Sequence, residues 1–476
     1  MTLALVLAKA FLCQNIKERR AGMKSSFIPY FKENDDFQSV IVGVEEGLRE
    51  QLVAGLSGSA RTLFITSMYE QLQKPIVVLT HNLYHAQKLY DDFTNLFSEE
   101  ELYLFPANDV LAAEVAIASP ELKAQRLEVL NFLAKQKKGI IIAPLAGVKK
   151  ILPQRDMWLQ SIMTFEVGKI IELDSLAEKL VRLGYQRVGM VSTPGDFSVR
   201  GGIIDIYPLT EEYAVRIELF DDEVDSIRYF NVEDQRSQKS DTKVEIGPAT
   251  EVLLSQLEMM RGAERLELLL AKSIKKVKEE KVKQLLAENI THEIETIRSG
   301  QVVKEINKYL SVFYEKPASL LDYLPEDAIV MMDEISRLQE TAESLDKEEA
   351  EWLTELIAEG KIVHDVKLTH SFIQTLQKKI RPYVYLSLFL RHVSHTHPEN
   401  LVNLSSKSMQ HFHGQMHLLK NEMDRWQKAG YAVVVLGSNE ERMEKLEAVL
   451  SDYDIEARKQ KSNSPILHGQ VQLLEG

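Results

Sequence analysis

Gly55-Leu56-Ser57-Gly58-Ser59-Ala60-Arg61-Thr62 has the outline of the phosphate-binding loop G-x-x-x-x-G-K-[ST]. Gly55 and Thr62 stand in their places. Ala60 replaces the second glycine and Arg61 replaces the lysine. A phosphate cradle needs that glycine so that backbone N–H groups close around the phosphates with no Cβ in the way. It needs lysine because a compact ammonium on a flexible stem reaches the β and γ oxygens, and the planar arginine fork is not interchangeable with it. The loop therefore predicts a nucleotide-binding fold without nucleotide chemistry. Arginine still pairs with phosphate, so residual phosphate binding at Arg61 stays open. Further on, the apolar run 328–332 ends in Asp333-Glu334. That is the shape of a strand whose acids hold Mg²⁺ and orient water. Beside a degenerate loop the two carboxylates lose that role and are expected as structural caps. Eight histidines lie between His364 and His417, with clusters at His392, His395, His397 and at His411, His413, His417. Their spacing is irregular and no H-E-x-x-H pattern occurs, so no metal is assigned.

These residues need strands and helices to position them. From about 40 to 145 the chain alternates. A helix follows the loop over 62–72, strands are expected at 75–80, 101–106 and 139–144, and a helix over 81–97 carries Leu83, Ala86, Leu89, Tyr90 and Phe93 on one stripe. Ser119-Pro120-Glu121 opens another helix with a capping serine, a first-turn proline and a carboxylate. Apolar strands alternating with helices predict a parallel α/β sheet. From about 150 to 250 short alternating strands take over, at 203–207, 214–220 and 224–230, with Asp221-Asp222 as a tight turn. Residues 257–313 read as long charged helices. Their lysines are interleaved with acids and are expected on a solvated face. After 365 the α/β pattern resumes, and the final residues 471–476 read as the interior of a strand–turn, so a piece of a longer polypeptide is expected.

The expected division is an extension at 1–22, an α/β domain at 23–150, a β-rich insertion at 151–248, the return of the α/β domain at 249–365, and a second, smaller α/β domain at 366–476. At 476 residues about three domains are the prior. A net charge of −14 argues against coating nucleic acid through a bulk field. Cys13 is the sole cysteine, which excludes an intramolecular disulfide and fits the cytoplasm. The apolar N-terminal run has no basic leader and is too short to span a bilayer, which takes about 20 residues, so no membrane partner is expected.

Phe197-Ser198-Val199-Arg200-Gly201-Gly202-Ile203-Ile204-Asp205-Ile206-Tyr207-Pro208, then residues 215–228, then Asp234-Gln235-Arg236-Ser237, resemble the inserted domain shared by the excision-repair protein UvrB and the bacterial transcription-repair coupling factors. Residues 118–122, 125–127 and 320–325 extend the resemblance over 40–340. The degenerate loop favours the coupling factors, as does the absence of an aromatic hairpin after Phe105 and of motor motifs downstream. The resemblance implies an N-terminal module: a degenerate P-loop (RecA-like) domain carrying a UvrA-binding insertion, followed by a further α/β domain. It implies UvrA as partner, through Arg187, Phe197, Arg200 and Tyr207. Ser198 falls where UvrB has another arginine. RNA polymerase, double-stranded DNA, ATP and Mg²⁺ would belong to absent C-terminal domains, one of which masks the UvrA surface in the longer protein. This chain itself would have no cofactor and no catalytic residue. On residue chemistry alone, Arg200 could instead pair with Asp205 or Glu218, and Phe197 and Tyr207 could pack in a core. An active UvrB-like DNA-dependent ATPase remains the alternative, and direct DNA binding a weaker third.

Overall fold

The computed structural model describes residues 27–476 apart from 110–118, 304, 379–380, 405, 407–411, 413–414, 438–439, 461–463, 465 and 476. The expected extension at 1–22, and His411 and His413, lie outside the described residues.

In chain order the strands are β1 (Glu50–Ala54), β2 (Ile76–Thr80), β3 (Leu102–Leu104) and β4 (Ile140–Pro144), then β5 (Met163–Glu166), β6 (Gln186–Arg187), β7 (Asp196–Arg200), β8 (Ile203–Ile206), β9 (Ala214–Phe220), β10 (Glu223–Phe230), β11 (Ser237–Asp241) and β12 (Lys243–Ile246). After them come β13 (Ile329–Asp333), β14 (Tyr383–Ser387), β15 (Asn400–Asn403), β16 (Val433–Gly437), β17 (Ala457–Gln460) and β18 (Val471–Glu475). The helices used below are α1 (Asp35–Glu45), α2 (Ser59–Leu72), α3 (Leu83–Thr94), α4 (Pro120–Ala134), α5 (Gln256–Lys276), α6 (Glu280–Arg298), α7 (Ile335–Ala358), α8 (Met416–Lys428) and α9 (Glu440–Asp452).

The first sheet is parallel, in the order β15-β1-β14-β13-β2-β4-β3. Strands β1, β2, β4, β13 and β14 are buried along their whole length, which is why they read as continuous apolar runs. One face packs on Phe37 and Val40 of α1, Phe64 and Met68 of α2, and Phe93 of α3. The other packs on Leu127 and Leu130 of α4, Leu338 of α7, and the inserted sheet. Ser119 caps α4 as its sequence foretells, accepting from the Leu122 N–H at 3.3 Å.

The boundary expected at 366 cuts through this sheet. β14 lies between β1 and β13, and β15 pairs with β1, so the unit runs on to residue 403. An apolar run such as 383–387 has the same local signature whichever sheet receives it. The terminal unit is the separate parallel sheet β16-β18-β17 with α8 and α9, holding its own core around Met423, Val433, Leu450 and Leu473.

The insertion is a six-stranded sheet in the order β11-β10-β9-β8-β7-β6, antiparallel except for β6 beside β7. β12 pairs separately with β5. Phe197, Ile204, Ile206, Val215, Ile217, Val224 and Ile227 project inward and join the core of the first sheet. Alternate residues project outward.

The charged helical stretch forms α5 and α6, a pair packed through Leu266, Leu270, Leu286 and Ile290. A capping box at Ser255 and Glu258 starts α5. Gly262 lies inside α5 because a Cβ there would run into the Phe313 ring. Helix propensity alone favours alanine by about 1 kcal/mol. Gly262→Ala is nonetheless predicted to destabilise the chain by about 1–3 kcal/mol through overpacking, read as a lower urea midpoint.

Candidate functional site

The loop at 55–58 joins the end of β1 to α2, at the carboxyl edge of the parallel sheet. Gly55 has φ +85°, and a Cβ on it would meet the Leu404 carbonyl at 2.7 Å and Asn403 Oδ1 at 2.8 Å. The neighbouring chain holds the loop closely. Ser57 N–H donates to Ser406 Oγ at 2.8 Å, and Ser406 Oγ donates to the Gly55 carbonyl at 2.8 Å. Nothing in the local sequence announces Ser406, which is brought in from 349 positions away.

Arg61 leaves the first turn of α2 and crosses over β14 to the end of β13. Its guanidinium pairs with Asp333, with Glu334 at 2.7 Å, and with the Leu56 carbonyl at 2.8 Å. The structure thus joins three residues picked out from sequence into one cluster, with arginine as the counter-ion of both acids. The two acids are its ion-pair partners; their expected role as caps is not what is seen. Glu334 holds a left-handed φ of +56° ahead of α7 and makes no side-chain cap; its N–H donates to the Leu386 carbonyl at 2.9 Å. Thr62 is buried, and its Oγ1 finds no hydrogen-bond partner among the described residues; the same holds for Arg61 Nε. Ala60 sits beside them in the helix start, partly buried.

Burial pushes the Asp333 carboxyl above its ordinary range; Arg61 opposes that shift and Glu334 adds to it. His81, just past β2, stacks on His85 with ring centroids 4.1 Å apart. Burial, His85 and Arg337 push His81 down to about 4 against the pull of Glu334. His85 is also lowered, by burial first. These histidines and Arg337 complete the electrostatics of the cluster and carry no motif. Among the described residues no three His, Cys, Asp or Glu side chains come together as a metal site, and no helix is long and apolar enough to cross a membrane.

The inserted sheet distributes the four expected partner residues unequally. Arg200 lies on the outward face, 46% exposed, and donates to Asp205 at 2.7 Å. Asp205 also accepts from Arg216 at 2.6 Å, and Arg228 pairs with Glu218 on the next two strands. Arg187 is exposed on the two-residue edge strand, in register with Phe197 and hence on the opposite face from Arg200. Tyr207 is partly buried, and its hydroxyl donates to the Glu212 carbonyl at 3.0 Å. Phe197 is fully buried in the common core and cannot touch a partner. That corrects its expected role. Its alternation with Ser198 and Arg200 already assigns it to the inner face. Arg216, which the sequence reading passed over, is set on the outer face by the same alternation.

Residues 163–252 match the family described as the UvrB interaction domain. Over 447 residues the chain is 52% identical to the transcription-repair-coupling factor of Bacillus subtilis (strain 168). The chain belongs to the transcription-repair-coupling factor family. It is also 35% identical over 451 residues to the transcription-repair-coupling factor of Staphylococcus aureus (strain bovine RF122 / ET3-1). Each alignment covers 94% of this chain and 38% of the relative, so the chain spans well under half the length of these family members.

Two predictions follow from the cluster. Arg61→Met should destabilise the chain by about 3 kcal/mol in urea denaturation, because it leaves two adjacent acids without their cation. Adding Asp333→Asn should recover part of that loss; strictly additive losses would contradict the pairing. The native state keeps His81 neutral, whereas the unfolded chain takes up a proton below about 6.5. The contribution of His81 is therefore full above pH 6.5 and is lost as pH falls toward 4. His81→Phe should flatten the fall of the urea midpoint over that window relative to the unmutated chain.

Proposed function

We propose that this chain is a non-catalytic, UvrA-recruiting module of a transcription-repair coupling factor. In this reading residues 23–150 and 249–365 are a degenerate P-loop, RecA-like domain, extended by strands to 403. The insertion presents the UvrA surface, and the chain works in the cytoplasm. The longer protein would use its other domains to release RNA polymerase stalled at lesions on double-stranded DNA, with ATP and Mg²⁺ in its motor. Recruiting UvrA would then start nucleotide excision repair.

The observation that carries the reading is Arg61. Its guanidinium already pairs with both Asp333 and Glu334, the acids that a working site would turn to Mg²⁺. The alternative, a UvrB-like DNA-dependent ATPase, needs the glycine and lysine that Ala60 and Arg61 replace. The outward arginines, with Arg200 half exposed, suit a charged protein interface.

UvrA titration by calorimetry tests this reading. Arg200→Ala should weaken binding about tenfold, or 1.4 kcal/mol, and Arg216 keeps Asp205 compensated in that variant, so the fold is retained. Arg187→Ala, made separately, reports whether the interface wraps the sheet edge. The isolated chain should also bind UvrA more tightly than the longer protein does. Unchanged affinity in both single variants would overturn the assignment.

A further inference from the structure

At one end of the inserted sheet, two large apolar side chains stand almost fully in solvent. Ile170 is 78% exposed and Phe220 is 77% exposed. They belong to one structural row. Phe220 is paired with Glu223 across the β9–β10 hairpin, and Glu223 is bridged on its other side to Ile170. Directly opposed residues of antiparallel pairs share a face, so Ile170, Glu223 and Phe220 project together, with the two apolar groups about 10 Å apart. The backbone fixes this row in advance. Gly168 N–H donates to the Val224 carbonyl at 2.8 Å, Val224 N–H to the Lys169 carbonyl at 2.9 Å, and Ile171 N–H to the Asp222 carbonyl at 2.8 Å.

The charge around the row is one-sided. Residues 166–172 and 220–225 carry Glu166, Glu172, Asp221, Asp222, Glu223 and Asp225 against a single cation, Lys169. Among the described residues none of these six carboxylates makes an ion pair. The middle of the same outer face differs: there Arg200 and Arg216 are engaged with Asp205, and Arg228 with Glu218. The outer face is thus divided into a paired arginine–carboxylate ladder and an acidic, apolar tip.

We propose that the Ile170–Phe220 tip is a docking site for a lysine- or arginine-rich protein segment that rests apolar side chains on Ile170 and Phe220 and sets a cation over Glu223 between them. The carboxylates match its cations and repel nucleic acid. The net charge of −14 disfavours a second copy of the chain. A rigid row costs little ordering on binding. The proposal stands on the geometry of the tip and does not rest on the UvrA reading.

The test is fluorescence anisotropy of the full chain with a labelled amphipathic Lys/Leu peptide and its Glu/Leu counterpart. The Lys/Leu peptide should bind and the Glu/Leu peptide should not. Phe220→Ser and Ile170→Ser, both at exposed positions, should each weaken binding about tenfold. Arg200→Ala should leave it unchanged. Hydrogen-exchange protection should fall on 167–172 and 219–225. Equal binding by the Phe220→Ser/Ile170→Ser chain, or protection elsewhere, would overturn the proposal. So would sedimentation showing a dimer that this double variant abolishes, because the occupant would then be a second copy.

Discussion

Two acids in succession at the end of a buried strand need a cation. Asp333 ends β13, a central strand of the seven-stranded parallel sheet, and Glu334 follows it, with side chains 11% and 22% exposed. With so little exposure, water compensates their charges only in part. The cation is Arg61, delivered by the first turn of α2 after a loop that Gly55 and Gly58 bend with positive φ. This one exchange ties β1, β13 and α7 together across β14. The histidines at the end of β2 lie near it, both lowered by burial first and also by cationic Arg337.

The same sheet supports the insertion. Its inner residues enter the core that also holds Leu127, Trp158 and Val330, so the β-rich unit is anchored by apolar burial on one face. That leaves the outer face, with its arginine–carboxylate ladder and acidic tip, outside the shared core. A rigid scaffold presenting one polar face suits the proposed recruiting role, which makes no demand on chemistry at the loop.

Much of this was legible in the residues. Runs such as 75–80 and 139–144 pointed to buried parallel strands, Ser119-Pro120-Glu121 to a helix start, and the alternation at 203–207 and 214–220 to the inserted sheet. The loop and the acid pair were each visible, but their meeting was not, because 272 positions separate Arg61 from Asp333. The placement of 383–387 in the middle of the first sheet was hidden for the same reason: local pattern specifies a strand and leaves its neighbours open. Phe197 is a different case. The period-two alternation of its strand, Asp196–Arg200, assigns it to the core, and only its place in a family surface suggested otherwise.

The account turns on whether Arg61 has replaced the metal and nucleotide or merely waits for them. Calorimetric titration of the chain with ATP and Mg²⁺ decides this most directly. The account predicts no heat of binding and no turnover. Saturable binding of Mg²⁺-ATP, with Arg61 released from Asp333 and Glu334, would contradict it.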